Sequence, residues 1–413
     1  MSEEGSRKVI QPTFYKSSVT VTIMIKTLRV MLIPNNQQAT RLFQFAGSAR
    51  FAFNWALALE KKNFDAGGKF ISDYEVRKMF TQFKNEPANE WLYTISNNVC
   101  KQAIKDAVIA YQKFFKGLAG HPKFKSRKRS KPSFYADPVK IKFTGTHVKL
   151  ESIAQSKKKG RQSANWFRLA EHDRIPTAGK YSNPRISFDG LNWFLTVGIE
   201  AEAPEAVPST NDGIGFDVGV KDLAICSTGQ TFRNINKTSS VRRLKKKLRR
   251  LQRKISRKYI KNKKGESYQK TRNIVKSEKR LLRVTHRLTN IRTNYIHQVS
   301  IEIMKREPSF IVMEDLNVTG MMKNRHLAKA IQEQKLAEFY RMMQYKCNWN
   351  GIRLITADRF YASSKLCSVC GHKKPDLKLS DRIYHCEHCG TVIDRDYNAS
   401  INLYHYGKSI INH

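Results

Sequence analysis

Acidic residues are scarce: 34 Asp and Glu stand against 76 Lys and Arg in 413 residues, a formal net charge of +42 at pH 7. Self-repulsion on that scale excludes a cationic partner. It calls for a polyanion, because each phosphate neutralised by Lys or Arg releases condensed counterions. Long apolar runs are also missing. Nothing approaches the ~18 residues of a membrane-spanning helix, and the leader from Met1 to Ser18 is polar, with no apolar signal region. Membrane spanning and export are therefore not expected. Cysteine is sparse and odd in number: of seven, four fall between Cys367 and Cys389, while Cys100, Cys226 and Cys347 sit in apolar surroundings. That usage excludes a disulfide framework and fits a metal site in a reducing compartment, with three buried thiols besides.

What is present is enough apolar residue, 40% of the chain, for two or three cores. VTVTIMIKTLRVMLIP, Val19 to Pro34, is rich in β-branched residues and reads as one or two strands. From Gln37 the spacing becomes helical, and a second helical stretch puts Val99, Ala103, Ala107 and Phe114 on one face. HPKFKSRKRSKPSF follows, where Lys123, Lys125 and Arg127, with Phe124 and Phe134 among the charges, suggest a strand that grips a backbone and stacks bases. Strand signals return in NPRISFDGLNWFLTVGIEAEAP, where Ile186, Phe188, Leu195, Val197 and Ile199 alternate around Asp189 and Gly190. A β-rich unit is thus interrupted by a helical one. AEAPEAVPSTND reads as a linker, and a third region begins near residue 211.

In that region Val241, Leu244, Leu248, Leu251, Ile255 and Tyr259 recur every three or four residues, with Lys or Arg at nearly every position between them. The spacing predicts an amphipathic helix with a cationic face. Leu281, Leu288, Ile291, Tyr295, Val299 and Ile303 predict its antiparallel partner. Such a hairpin suits a nucleic-acid duplex, with Arg242, Lys246, Arg249, Arg253 and Arg257 on phosphates. Coiled-coil dimerisation would stack the same charge against itself.

Scarcity makes the placement of the acids informative. Asp217 lies on a strand beside Gly219, Glu314 closes the apolar strand of PSFIVMEDL, and Asp394 and Asp396 stand where DYNASINLYHYG opens a helix. A strand Asp, a later strand Glu and a helix Asp are what a two-metal phosphodiesterase site on a ribonuclease-H-like fold requires, since hard divalent ions take carboxylate oxygens. Such acids repel one another when unloaded, so at least one raised pKa is expected. Just before them, Cys367, Cys370, Cys386 and Cys389 form two CxxC pairs fifteen residues apart, a four-thiolate zinc spacing with no open coordination position. His372, His385 and His388 are not expected to be ligands. The clip reads as scaffolding for the acid cluster.

LIPNNQQ, ARFAFNWAL, HPKFKSRKRS, GIGFDVGVKDLA, IVMEDLNVTGM, DRFYASSKLCSVCG, YHCEHCG and DRDYNASINL, in that order, resemble TnpB, the RNA-guided nuclease family of insertion-sequence transposons related to compact type V CRISPR effectors. The resemblance implies a multidomain α/β chain. A split, barrel-like wedge domain (19–36 and 118–205) would carry a helical recognition insertion (37–117) and, after a linker (206–212), lead to a RuvC-like nuclease domain (213–362 and 393–413). That domain would hold the basic hairpin (241–303) and an inserted zinc ribbon (363–392), with the leader (1–18) disordered.

By the same resemblance the catalytic acids fall on Asp217, Glu314 and Asp396, with Asp394 the near miss, and hold two catalytic Mg²⁺. One structural Zn²⁺ would sit on the cysteines. Ser400 and Leu403 replace the usual Ala and Ile, both small changes. The implied activity is cutting of double-stranded DNA beside a short duplex motif, guided by an RNA encoded near the transposon end. The protein would act as a monomer in its RNA complex, in a prokaryotic cytoplasm. Two other readings compete. A guide-directed repressor would need no carboxylates, and a transposase would join strands instead of only cutting them.

Overall fold

The computed structural model describes residues 23–151, 165–203, 211–378 and 380–412; the leader and most of the linker lie outside them. The first strand, β1 (Ile23–Ile33), alternates in burial along its length, with Val30 and Leu32 fully inside. Three helices follow: α1 (Asn36–Asp65), α2 (Asp73–Lys84) and α3 (Asn97–Phe115). The first two start at capping boxes, Asn35 with Gln38 and Ser72 with Glu75, which satisfy orphan amides reciprocally. Val99, Ala103 and Ala107 face the core of α3, and Phe114 is half-buried against it.

The chain then returns to strands, namely β2 (Ser133–Tyr135), β3 (Lys142–Phe143), β4 (His147–Lys149), β5 (Trp166–Leu169), β6 (Tyr181–Phe188) and β7 (Trp193–Glu202). With β1 they form one antiparallel seven-stranded sheet in the order β2-β6-β7-β1-β5-β4-β3. β1 pairs with β7 from Ile23 opposite Glu202 to Leu32 opposite Trp193, so the helices are inserted into a sheet that closes only after them. The expected strand through HPKFKSRKRSKPSF is instead a loop up to β2, because its prolines and consecutive charges offer no alternating apolar face. Phe134 is buried in the core beneath it and Phe124 is exposed.

A second sheet contains β8 (Ile214–Val218), β9 (Asp222–Cys226), β10 (Thr231–Arg233), β13 (Phe310–Glu314) and β14 (Arg353–Ala357) in the order β10-β9-β8-β13-β14. Its first three strands are antiparallel; β13 runs parallel to both β8 and β14. Between β10 and β13 the chain makes the antiparallel pair α4 (Ser239–Lys261) and α5 (Arg272–Met304), tipped by a ribbon of β11 (Lys263–Lys264) and β12 (Ser267–Tyr268). Val241, Val284 and Leu288 form the seam of the pair, flanked by Leu244, Leu248, Leu251 and Ile291.

After β13 come α6 (Val318–Met321), α7 (Ala328–Gln334) and α8 (Leu336–Trp349), where the sequence analysis placed no elements. Beyond β14 a short hairpin, β15 (Ile383–His385) and β16 (Val392–Asp394), runs directly into α9 (Arg395–Ile411). Among the described residues no helix is long and apolar enough to cross a membrane.

Candidate active site and metal centre

β8 and β13 are parallel neighbours, and their last registered pair is Met313 with Phe216. One residue further stand Asp217 and Glu314, level with each other at the C-terminal ends of both strands. Side chains alternate along a strand, so Gly215 and Asp217 share a face of β8. On the same side of the sheet α9 lies directly on the backbone: a Cβ at Gly215 would stand 2.3 Å from Ser400 O and 2.4 Å from Tyr404 N. Only glycine permits that approach. Gly219, two residues past Asp217, would meet nothing nearer than Asp222 O at 3.5 Å, an ordinary contact.

The spacing then brings the third acid in. Asp396 precedes Ser400 by four helical residues, about 6 Å of rise, and Asp217 follows Gly215 by two strand residues, about 6.6 Å. Asp394 does different work. It caps α9, its Oδ1 accepting from the amides of Asp396 at 3.0 Å and Tyr397 at 3.1 Å, and it also pairs with Ile383, so the ribbon hairpin runs two residues past its expected end.

The electrostatics match this convergence. Burial pushes the Asp217 carboxyl well above the usual carboxylate range; Glu314, Asp396 and Asp394 push it further, and Arg395 opposes them. Like charges around a desolvated acid favour its protonated form. Arg395 is held by Lys378 O at 2.8 Å and Ser364 Oγ at 3.3 Å.

Sequence reasoning missed the groups that support the acids. Ser363 Oγ donates to Glu314 Oε1. Asn398 donates to Leu366 O at 2.6 Å and accepts from the Ser368 amide at 2.9 Å. Asn402, one turn on, donates to Ser363 O at 2.7 Å and Leu366 O at 2.8 Å. Both asparagines are buried. Two buried amides four apart in an otherwise apolar helix face were the available signal. Arg359 pairs with Asp315 beside Glu314. Ser400 is accommodated by donating to Tyr397 O at 2.7 Å.

The four cysteines gather at the turn that joins β15 to β16. Cys367 and Cys389 sulfurs lie 3.6 Å apart, and Cys370 and Cys386 sulfurs 3.5 Å. A disulfide would need about 2.05 Å, whereas sulfurs at about 2.3 Å from one tetrahedral zinc stand about 3.8 Å apart. The two CxxC turns are built alike: Gly371 and Gly390 take φ of 74° and 70°, and their amides donate back to Cys367 O and Cys386 O at 2.9 and 3.0 Å. Hydrogen bonding by Thr391 lowers the Cys389 thiol, while at Cys370 the hydrogen bond from His372 is outweighed by burial and the neighbouring thiols, which raise it, so the first thiolate of the cluster forms at Cys389. Tyr384 fills the space beneath the knuckles. His372 and His388 stack on each other at 5.7 Å and belong to no donor cluster. Among the described residues these four thiols are the group whose metal-ligating atoms all lie within 4.8 Å of one another; the three carboxylates are not drawn that close.

The basic candidates divide. Arg242, Lys246, Arg249, Arg253 and Arg257 are exposed on α4, and Lys123 and Arg127 on the loop before β2. Lys125 departs from the expected phosphate contact. Its ammonium lies 3.5 Å over the Phe53 ring, its backbone is clamped on both sides by Asn54 at 2.8 Å, and burial lowers its pKa while Asp106 opposes the change.

Residues 196–325 match the family model described as "Probable transposase" (OrfB_IS605). Residues 24–69 match its "Helix-turn-helix domain", and 337–403 match "Cas12f1-like, TNB domain". The chain is 30% identical over 378 residues to a Streptomyces pristinaespiralis protein named "Putative RNA-guided DNA endonuclease", covering 92% of this chain and 88% of the relative. It is 28% identical over 402 residues to "Putative RNA-guided DNA endonuclease InsQ" of Escherichia coli K12, covering 94% and 93%. In fold it is similar to the protein of the "Cryo-EM structure of the Cas12f1-sgRNA-target DNA complex", with a TM-score of 0.56 at 14% identity, over 89% of this chain and 82% of that one.

Proposed function

The chain belongs to the TnpB family of RNA-guided DNA endonucleases, and from that premise we propose that it cuts double-stranded DNA beside a short duplex motif, directed by a guide RNA, at Asp217, Glu314 and Asp396. One observation carries the reading: β8, β13 and α9 bring three acids of a very basic chain to one side of one sheet edge, where burial, and then the neighbouring acids, raise the pKa of Asp217. The strand order, three antiparallel strands followed by two parallel ones, supports a ribonuclease-H-like, RuvC-type domain. The sheet that closes around α1 to α3 supports the split wedge and its recognition insertion.

The donor set fits Mg²⁺, a hard ion that takes carboxylate oxygens, and like-charged acids beside a buried one are groups that a cation relieves. Asp217, Glu314 and Asp396 would hold it. Bound there, Mg²⁺ supplies Lewis-acid polarisation of the scissile phosphate and a lowered pKa for the attacking water. The chain's own residues set the geometry. Ser363 fixes one oxygen of Glu314, Asp394 orients the first turn of α9 so that Asp396 faces the sheet, and Gly215 sets the height of the helix. The four thiols, with every position filled by sulfur, fit a structural Zn²⁺.

Cleavage of a plasmid carrying the guide-matched sequence, with Mg²⁺ and with EDTA, tests the reading. Asp217→Ala, Glu314→Ala or Asp396→Ala should abolish cutting and leave guided binding of the same DNA nearly intact. Cutting that persists in all three variants would remove the site, and products joined to transposon ends would assign a transposase instead.

A further inference from the structure

Away from the acids, α1 and α3 end beside each other around a cavity of about 510 Å³, within the range of small-molecule pockets. Its walls are aromatic. Phe70 meets Phe115 edge-on at 5.8 Å, Tyr111 stacks on Phe115 at 6.1 Å and His121 stands edge-on to Tyr111 at 5.7 Å. Phe64 and Phe115 nevertheless remain 67% and 53% exposed, so these rings are not closed into a core. Lys61, Asn63, Asp65 and His121 also line the cavity, and of these polar groups Glu60 is the buried one, only 4% exposed. Its Oε2 accepts a long bond from the Ile71 amide at 3.5 Å, and its Oε1 has no hydrogen-bond partner. An unsatisfied buried carboxylate oxygen is costly, and a native structure that keeps one needs a reason for it.

The surroundings indicate what would supply the donor. Lys61, Lys62, Lys69 and Lys113 are exposed on the same turns beside one exposed acid, Asp65, so an incoming group meets net positive charge first, then aromatic faces, then the buried Glu60 acceptor. A Lys or Arg side chain from a protein partner would satisfy Glu60 but would have to pass that cationic rim. A nucleotide answers all three features, with its phosphate at the lysines, its ring on the aromatics and a donor at the carboxylate. We propose that this cavity holds one unpaired nucleobase bearing an exocyclic amino group, which donates to Glu60 Oε1 while the ring stacks on Phe115 and its neighbours. Glu is a natural acceptor for the cytosine amino group. Uracil and thymine flank their single N–H with two carbonyls that repel the carboxylate.

The proposal rests on nucleic acid being the partner, and the test separates the two. Fluorescence polarisation of labelled cytidine and uridine decamers with the full chain, at roughly 0.5 M salt where counterion release contributes little, should show cytidine bound at least about fivefold more tightly. Glu60→Gln should erase that difference without lowering the melting temperature. Phe115→Ala, at an exposed ring, should weaken cytidine binding. Equal affinities with a steep salt dependence, or a preference that survives Glu60→Gln, would remove the base site and leave the nucleic-acid reading standing. No binding of either decamer at low salt would remove both. Saturable binding of an arginine peptide that is lost in Glu60→Gln, with no base preference, would assign the cavity to a protein partner and overturn the proposal.

Discussion

Asp394 and Asp396 stand two positions apart on one helix end and have different tasks. The first is spent on the amides of Asp396 and Tyr397, so Asp394→Ala should cost about 1 kcal/mol of stability and leave cutting measurable. Asp396→Ala should abolish cutting with little change in melting; the reverse pattern in paired melting and cleavage assays would exchange their roles. Lys346 on α8 offers a pH-dependent test. It is buried, donates to His297 O at 3.1 Å and Ser300 Oγ at 2.6 Å, and burial lowers its pKa to about 8. The folded value lies below the unfolded one, so the stability linked to this proton is present above the unfolded pKa and is lost as pH falls through about 8. Lys346→Met should therefore melt above the wild type at pH 7, with the margin shrinking towards pH 9.5; an equal margin at both would contradict the assignment. The acids and cysteines were legible at this scale because rare residues in fixed spacing stand out against a basic chain. Ser363 was not, because a side chain that bonds a distant carboxylate leaves no period in the sequence, and the four-residue spacing of Asn398 and Asn402 did not disclose which backbone they bond. Lys125 misled for a similar reason, since a run of charges does not reveal which member turns inward onto Phe53.

Among the elements, α4 was the easiest to read. Its apolar spacing is regular, and Val241 meets Leu288 in the seam as the pattern implies, joined there by Val284, which the pattern left out. Its outward face is exposed and carries Lys and Arg at nearly every position. Replacing Arg242, Arg249 and Arg253 with Gln should flatten the slope of log affinity for RNA against log salt by roughly two to three, and the motif preference should stay unchanged. A wild-type slope accompanied by a new oligomeric state in light scattering would favour the coiled coil. The segment 363–368, which enters the first CxxC, is anchored to α9 by Asn398 and Asn402, so metal loss should act beyond the cysteines. One zinc per chain should be found by elemental analysis, and Cys367→Ser should lower both the melting temperature and cutting. Zinc-free protein that cuts normally would contradict that coupling. The loop from His121 to Pro132 was read as strand because aromatics among lysines imitate alternation; the prolines decided otherwise.

Over the whole molecule, the change from β-branched to helical spacing and back disclosed an interrupted β unit. It did not disclose that β1 would lie inside the sheet between β7 and β5, because alternation announces a strand and says nothing about its neighbours. The helices α6 to α8 went unplaced because their apolar residues serve a shared core with α5 and the second sheet. The packing of α9 on Gly215 also has a consequence in time. Asp217 and Glu314 can take their places as soon as β8 and β13 pair, but Asp396 arrives on a helix made about 80 residues after Glu314, and that helix docks only when its glycine seat is clear. On the proposed reading, synthesis would thus pass through an interval in which the basic face of α4 is complete and the third acid is still missing. A stalled or clipped product that lacks α9 would then bind without cutting, so the order of translation would itself protect the surrounding DNA.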